Sequence, residues 1–197
     1  MNRIQLLHIL GSIWAVFGVY WLIARTRVKP DETGTGESPI YRALRLAILV
    51  VVFTLLFANW TARVGPLGLS FLPDRPEFGY IGFLLALAGI ALAMWARIHL
   101  GQFWSDKVVL KVDHQLIRTG PYAHLRHPIY SGVLLGVAAT ALVLGEFRGV
   151  VAFLILLVNY WIKARREDRM LAHRFPESFA EHEKHAGFLL PKLQRRA

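Results

Sequence analysis

Apolar runs of roughly twenty residues, each long enough to cross a ~30 Å hydrocarbon layer, recur along this 197-residue chain and constrain its fold more than any other feature. Five can be drawn: Ile4 to Ala24, Ala43 to Ala62, Phe78 to Ala96, Ile129 to Gly145, and Val150 to Ala164. The last two are short and separated only by Gly145-Glu146-Phe147-Arg148-Gly149, which predicts a tight antiparallel hairpin. Gly132 and Gly136 offer a small-xxx-small face for that hairpin's packing, and Gly79, Gly82 and Gly89 allow close helix contacts in the third run. With 55% apolar residues and 18% charged ones, an ordinary soluble domain is excluded. No β alternation and no glycine-rich strand-to-helix turn is found, so a soluble Rossmann domain has no place. The expected fold class is all-α integral membrane. The first run has no clear small-residue cleavage site before Arg25 and reads as a retained helix.

The net charge of +10 suggests nucleic acid only until the basic residues are located. They flank the apolar runs rather than forming a basic arm, which marks membrane-facing loops. Nineteen fall in the first loop, the third loop and the tail from Lys163 onward; four (Arg3, Arg63, Arg75 and Arg148) fall in the intervening segments. That bias predicts an external N-terminus and a cytoplasmic C-terminus, which requires an odd number of spans. Asp31 to Ser38 reads as a mobile polar linker. The absence of cysteine removes disulfides, thiolate nucleophiles and thiolate-bound metals.

Two polar concentrations stand out against this apolar background. Asn159, Lys163 and Glu167 recur at four-residue intervals and share one helix face. They read either as a snorkelling helix end or as a cation and a carboxylate aimed into a cavity at the membrane surface. The second concentration is Leu116-Ile-Arg-Thr-Gly-Pro-Tyr-Ala-His-Leu-Arg-His-Pro-Ile-Tyr-Ser-Gly132. Pro128 suits the first turn of a helix. Arg126 and His127 therefore stand at a helix N-terminus, as an interfacial belt or as an anion site. The eight histidines show no metal-ligand spacing with a carboxylate, and no HExxH is present. No metal is expected.

Taken in order, these segments resemble the isoprenylcysteine carboxyl methyltransferase family and its phospholipid methyltransferase relatives. The resemblance runs from about Leu100 to Leu193. It is carried by Leu100-Gly-Gln-Phe-Trp-Ser105, His114-Gln-Leu-Ile117, Thr119-Gly-Pro-Tyr122, Arg126-His-Pro-Ile-Tyr-Ser-Gly132, Glu167-Asp168-Arg-Met-Leu171, Phe175 and Phe188-Leu-Leu-Pro191. It implies an N-terminal scaffold (residues 1–98) and a methyltransferase core (residues 99–197), the core's tail capping the cofactor at the cytoplasmic face.

The implied cofactor is S-adenosyl-L-methionine, contacting His114, Gln115, Leu116, Ile117, Tyr122, His127, Pro128, Ile129, Tyr130 and Glu167. In this reading Glu167 takes the cofactor ammonium, His127 and the following helix its carboxylate, and Tyr122 its adenine. The implied catalytic residues are Lys163, Glu167 and Arg126. Lys163 stands where the family's carboxyl methyltransferases carry arginine; it keeps the charge and loses the bidentate fork. Asp168, Pro176, Phe179 and His182 are further departures.

The implied partners are membrane lipid and a lipophilic or lipidated acceptor, with no nucleic acid. The implied location is a prokaryotic inner membrane. The alternatives are a sterol-reductase-like oxidoreductase, which would bind nicotinamide, and a haem-handling accessory protein.

Overall fold

A computed structural model describes residues 1–32 and 38–192. The described chain is helical, with three isolated β-bridges and no strand. Helices α1 (Arg3–Ala24), α2 (Pro39–Phe57), α3 (Pro76–Leu100) and α5 (Phe147–Arg174) are long and apolar enough to cross a membrane, and α4 (Pro128–Leu144) is a shorter apolar helix. The chain is an integral membrane protein. An outlying α6 (Pro176–His185) follows α5 after a single residue.

Local chemistry sets these boundaries. Asn2 and Gln5 form a reciprocal capping box at the start of α1. Proline occupies the first turn of α2, α3, α4 and α6, where its missing N–H forfeits no bond. Gly101 and Gly145, at φ 56° and 72°, end α3 and α4 in backbone conformations that a β-carbon disfavours. Two boundaries differ from expectation. The second helix stops at Phe57, where the chain turns into a 3-10 segment, Asn59–Arg63. The fifth runs unbroken past Ala164 to Arg174, because nothing between them breaks a helix, and so carries Lys163, Glu167 and Asp168 on one rigid rod.

The glycines of α4 pack elsewhere than expected. Neither Gly132 nor Gly136 faces α5: Gly132 faces α3, and Gly136 faces the Trp14 ring of α1 while its backbone lies against Gly89 of α3. A β-carbon on Gly89 would lie 2.5 Å from the Gly136 nitrogen, and one on Gly132 would lie 2.6 Å from the Gly89 carbonyl. The hairpin partner α5 is met instead through Gly149 against Ala141. The smallest side chains thus bring α3 and α4 together backbone to backbone, as membrane helices without a solvent-driven hydrophobic force require. Around that contact the core gathers Leu6, Leu10 and Trp14 of α1, Val52 and Leu56 of α2, and Leu156 of α5. Trp14 also donates from its indole to Thr140 at 3.1 Å.

The basic loops meet at one end of the bundle. Arg97, buried at the end of α3, donates to the Ala24 carbonyl at 2.7 Å and to Gly101 at 2.9 Å. Of the linker expected at Asp31 to Ser38, residues 33–37 lie outside the described residues. Its first two residues are pinned. Asp31 accepts from Lys107 at 2.9 Å and Lys111 at 2.7 Å, and the Glu32 N–H donates to the Leu110 carbonyl. Burial alone would raise the Asp31 carboxyl, yet the two ammonium groups hold it below the usual range.

Candidate active site

Where α3 ends, the chain from Gly101 to His127 crosses the end of the bundle in turns, and α5 and α6 close over it. The space between encloses about 820 Å³, its open mouth included. Its walls include His114, Gln115, Leu116, Ile117, Tyr122, Arg126, His127, Ile129, Tyr130 and Glu167, all singled out from the sequence. Pro128 is fully buried in the first turn of α4 and does not line the cavity. Lys163 faces a different space, described below. Sequence reasoning left Phe103, Trp104, Asp168, Phe179 and His182 without a site role, yet all five line this cavity. Phe103, Trp104 and Asp168 lay inside quoted motifs, so the signal was present.

Glu167 and Asp168 are adjacent on α5, and their partners come from the start of α4. Tyr130 donates its hydroxyl to both Glu167 oxygens, at 2.7 and 2.8 Å. Lys163, one turn back, lies 3.8 Å from the same carboxylate. His127 Nε2 is 2.8 Å from Asp168, and its Nδ1 is 3.5 Å from Glu167. Arg126 Nε and Nη2 both lie 3.2 Å from Asp168, and its Nη1 donates to the Ala186 carbonyl. Glu167 and His127, expected to meet opposite charges of a cofactor, are here each other's neighbours.

The electrostatics follow from that packing. Burial by itself would lower the His127 imidazole, but hydrogen bonds and charge from Asp168 and Glu167 outweigh it and raise it above its usual value. The Tyr122 hydroxyl is pushed up by burial and then by the Glu167 charge, so it stays neutral. His114 is lowered by burial; its Nδ1 accepts from the Lys111 N–H at 3.3 Å, which requires the neutral ring. His182, on α6, is pushed down to about 4 by burial and then by the nearby Arg126 and Arg118. The tail after α6 is tied down by its backbone: Arg126 N–H donates to Gly187, and the Ser131 hydroxyl to Leu189.

A second, larger space opens among α1, α2, α4 and α5, enclosing about 2650 Å³ with its open side included. Its lining is mostly apolar, from Leu7, Phe17, Leu49, Phe53 and Val133 among others. Trp104, Ile129 and Tyr130 belong to the walls of both spaces. Trp104 is held there edge-on to Trp21, with the Arg97 guanidinium 4.5 Å above its ring.

The sequence model of the Isoprenylcysteine carboxyl methyltransferase (ICMT) family matches residues 81–173, which carry α3, the crossing loop, α4 and nearly all of α5. The matched stretch, just under half of the chain, is similar to this family. Among relatives it is similar to the cobalt-zinc-cadmium resistance protein CzcN of Cupriavidus metallidurans. The two are 30% identical over 154 residues, which is 76% of this chain and 62% of that protein. The protein-S-isoprenylcysteine O-methyltransferase of Schizosaccharomyces pombe is 31% identical over 107 residues, 53% of this chain and 44% of its own. The chain thus spans from under half to under two thirds of the length of these two relatives. In fold it is similar to the eukaryotic intramembrane Ras methyltransferase ICMT. That likeness has a TM-score of 0.62 and 21% identity, and covers 96% of this chain and 67% of that one.

Proposed function

We propose that the protein transfers a methyl group from S-adenosyl-L-methionine to a lipophilic acceptor at the cytoplasmic face of a prokaryotic inner membrane. The observation that carries this reading is the shared wall of Trp104, Ile129 and Tyr130 between a polar, aromatic cavity and an apolar one open among the helices. Reactions between a water-soluble donor and a membrane-embedded acceptor need that juxtaposition. The match of residues 81–173 to the family model supports methyl transfer over the oxidoreductase and haem-handling alternatives.

The residues of the first cavity fit the proposed donor. Glu167 is a half-buried carboxylate suited to an ammonium group, and Tyr130 and Lys163 fix its orientation. His127 and Arg126 bring positive charge to the start of α4, while Tyr122, Phe179 and the segment His114 to Ile117 offer flat and apolar contacts for an adenine. When bound, S-adenosyl-L-methionine supplies a methyl carbon on a positively charged sulfur. The walls of the two spaces would hold that donor and an acceptor lone pair in line for methyl transfer. The chain's own work is alignment and exclusion of water at the shared wall. No general base is required if the attacking atom is a carboxylate oxygen.

The decisive experiment is calorimetric titration of S-adenosyl-L-methionine into purified protein, in parallel with Glu167→Gln. Loss of a charge-assisted hydrogen bond is worth about 1.5–3 kcal/mol, so affinity falls roughly ten- to a hundredfold in the variant. A folded wild type that does not bind overturns the reading.

A further inference from the structure

A polar side chain inside an apolar bundle ordinarily closes on a neighbouring helix or on the backbone of its own. Thr140 does both, donating to the Gly136 carbonyl at 2.7 Å and accepting from the Trp14 indole at 3.1 Å. Arg148 donates to Leu55, Ala58 and Thr61. Asn159 of α5 does neither. It is 8% exposed and lines the apolar space among α1, α2, α4 and α5. Its carboxamide meets no hydrogen-bond partner among the described residues. The next residue, Tyr160, lines the same space, and its hydroxyl is likewise unmet among the described residues. Its ring centroid lies 4.7 Å from that of Tyr130, whose own hydroxyl is taken by Glu167. An amide without a partner in hydrocarbon is costly. Two adjacent unmet groups on one wall of an apolar space therefore point to a molecule that enters it.

We propose that Asn159 and Tyr160 bind an acyl carbonyl of the acceptor, which is an ester- or amide-linked lipid. Naming the occupant an acceptor rests on the methyl-transfer reading above. Both side chains can donate, and a carbonyl oxygen has two lone pairs to receive them. A thioether sulfur is a weak acceptor and a bare hydrocarbon is none, so either leaves both donors unmet. The depth of the pair fits a linkage rather than a head. Asn159 stands one helical turn, about 6 Å, further into the bundle than Lys163. Lys163 marks the end of the space, where it donates to the Asp106 carbonyl at 3.0 Å and lies 3.8 Å from Glu167. A lipid whose carbonyl rests on Asn159 thus brings a short polar head to the wall of Trp104 and Tyr130, with its chain among the apolar side chains deeper in the space.

The test measures binding of three amphiphiles that share a glycerol-like diol head and a hexadecyl-length chain: a palmitoyl ester, a palmitoyl amide and a hexadecyl thioether. Each is titrated into the full chain in maltoside micelles, whose detergent carries no carbonyl. The ester, the amide or both should bind about tenfold tighter than the thioether, and the tighter of the two names the linkage. Asn159→Leu, close to asparagine in size, should bring the carbonyl lipids down to within about twofold of the thioether. It should not lower the thermal unfolding midpoint, because no bond within the protein is lost. Tyr160→Phe, which removes a single oxygen, should cut the margin to a few-fold. Equal binding of all three amphiphiles by wild type, the result if a water satisfies both groups, overturns the inference. So does a margin that survives in Asn159→Leu, or a midpoint that falls in that variant and marks Asn159 as structural. An undiminished margin in Tyr160→Phe overturns the part assigned to Tyr160. S-adenosyl-L-methionine is titrated separately into wild type. Since the amphiphiles are measured without it, its failure to bind overturns the methyl-transfer reading alone.

Discussion

Asp168 holds two cations that come from a different helix. His127 and Arg126 both reach it from the start of α4, and Arg126 continues to the tail through the Ala186 carbonyl and to Glu183 at 3.2 Å. Removing one member of such a buried ionic set leaves the others uncompensated, at a cost on the order of 3–5 kcal/mol. Asp168→Asn is therefore expected to lower the thermal unfolding midpoint in detergent well beyond the effect of Glu183→Gln, whose side chain is about half exposed. Differential scanning fluorimetry distinguishes the two. Tyr130→Phe probes the neighbouring acid. It deletes a hydroxyl that donates to both Glu167 oxygens, and S-adenosyl-L-methionine affinity is expected to fall about tenfold, read by the same calorimetry.

Helices α3 and α4 depend on each other through missing side chains. At Gly89 a β-carbon would collide with backbone rather than with a flexible side-chain end, so no rotamer change relieves it. Overpacking typically costs about 1–3 kcal/mol, and a clash between two backbones lies at or beyond the upper end. Gly89→Val is expected to abolish monodisperse protein on size exclusion, whereas Gly18→Ala, with nothing within 4 Å, leaves it unchanged.

Helix α6 carries a different liability. His182 is buried as the neutral ring, its value near 4 lying below the unfolded 6.5. Between these values the unfolded or undocked tail binds a proton that the docked tail does not. Docking is therefore full above about pH 6.5 and weakens steadily as pH falls toward 4. Hydrogen exchange across residues 179–191 should accelerate from pH 7 to pH 5 after correction for intrinsic rates, and His182→Phe should remove most of that response.

Across the whole molecule, two spaces of opposite character meet at one aromatic wall. Their separateness predicts separable defects. Gly11 lines the apolar space with Phe57 against it at 3.5 Å and lies far along the chain from the acids. Gly11→Phe should therefore weaken binding of a long-chain amphiphile at least tenfold and leave S-adenosyl-L-methionine affinity unchanged, both read by calorimetry. The membrane orientation proposed from the basic bias is testable on a chain with no cysteine of its own. Trp60→Cys, exposed at the end opposite the acids, should react with an impermeant maleimide from outside intact cells, and Arg174→Cys only after lysis.

Helix number, the likeness to a family and about half of one cavity wall were readable from residue order, since apolar length and a set of closely spaced polar motifs are local properties. Arg126, His127, Tyr130 and Glu167 were found that way. The pairings among them were not, because they join residues about forty positions apart and depend on how α4 and α5 register. The mixed charge of the first loop had no account in the sequence; in space Asp31 answers Lys107 and Lys111. Small-residue spacing showed that α4 has a close-packing face without saying which helix meets it, because any neighbour without side-chain bulk satisfies the same spacing. Only the assembled bundle chose α3. In the same way, α2 carried two arginines at its start that looked like ordinary membrane-flanking charge. The tertiary structure turned them toward Asp106, since a charge buried at the end of an apolar space must find a counter-charge from whichever element lies within reach.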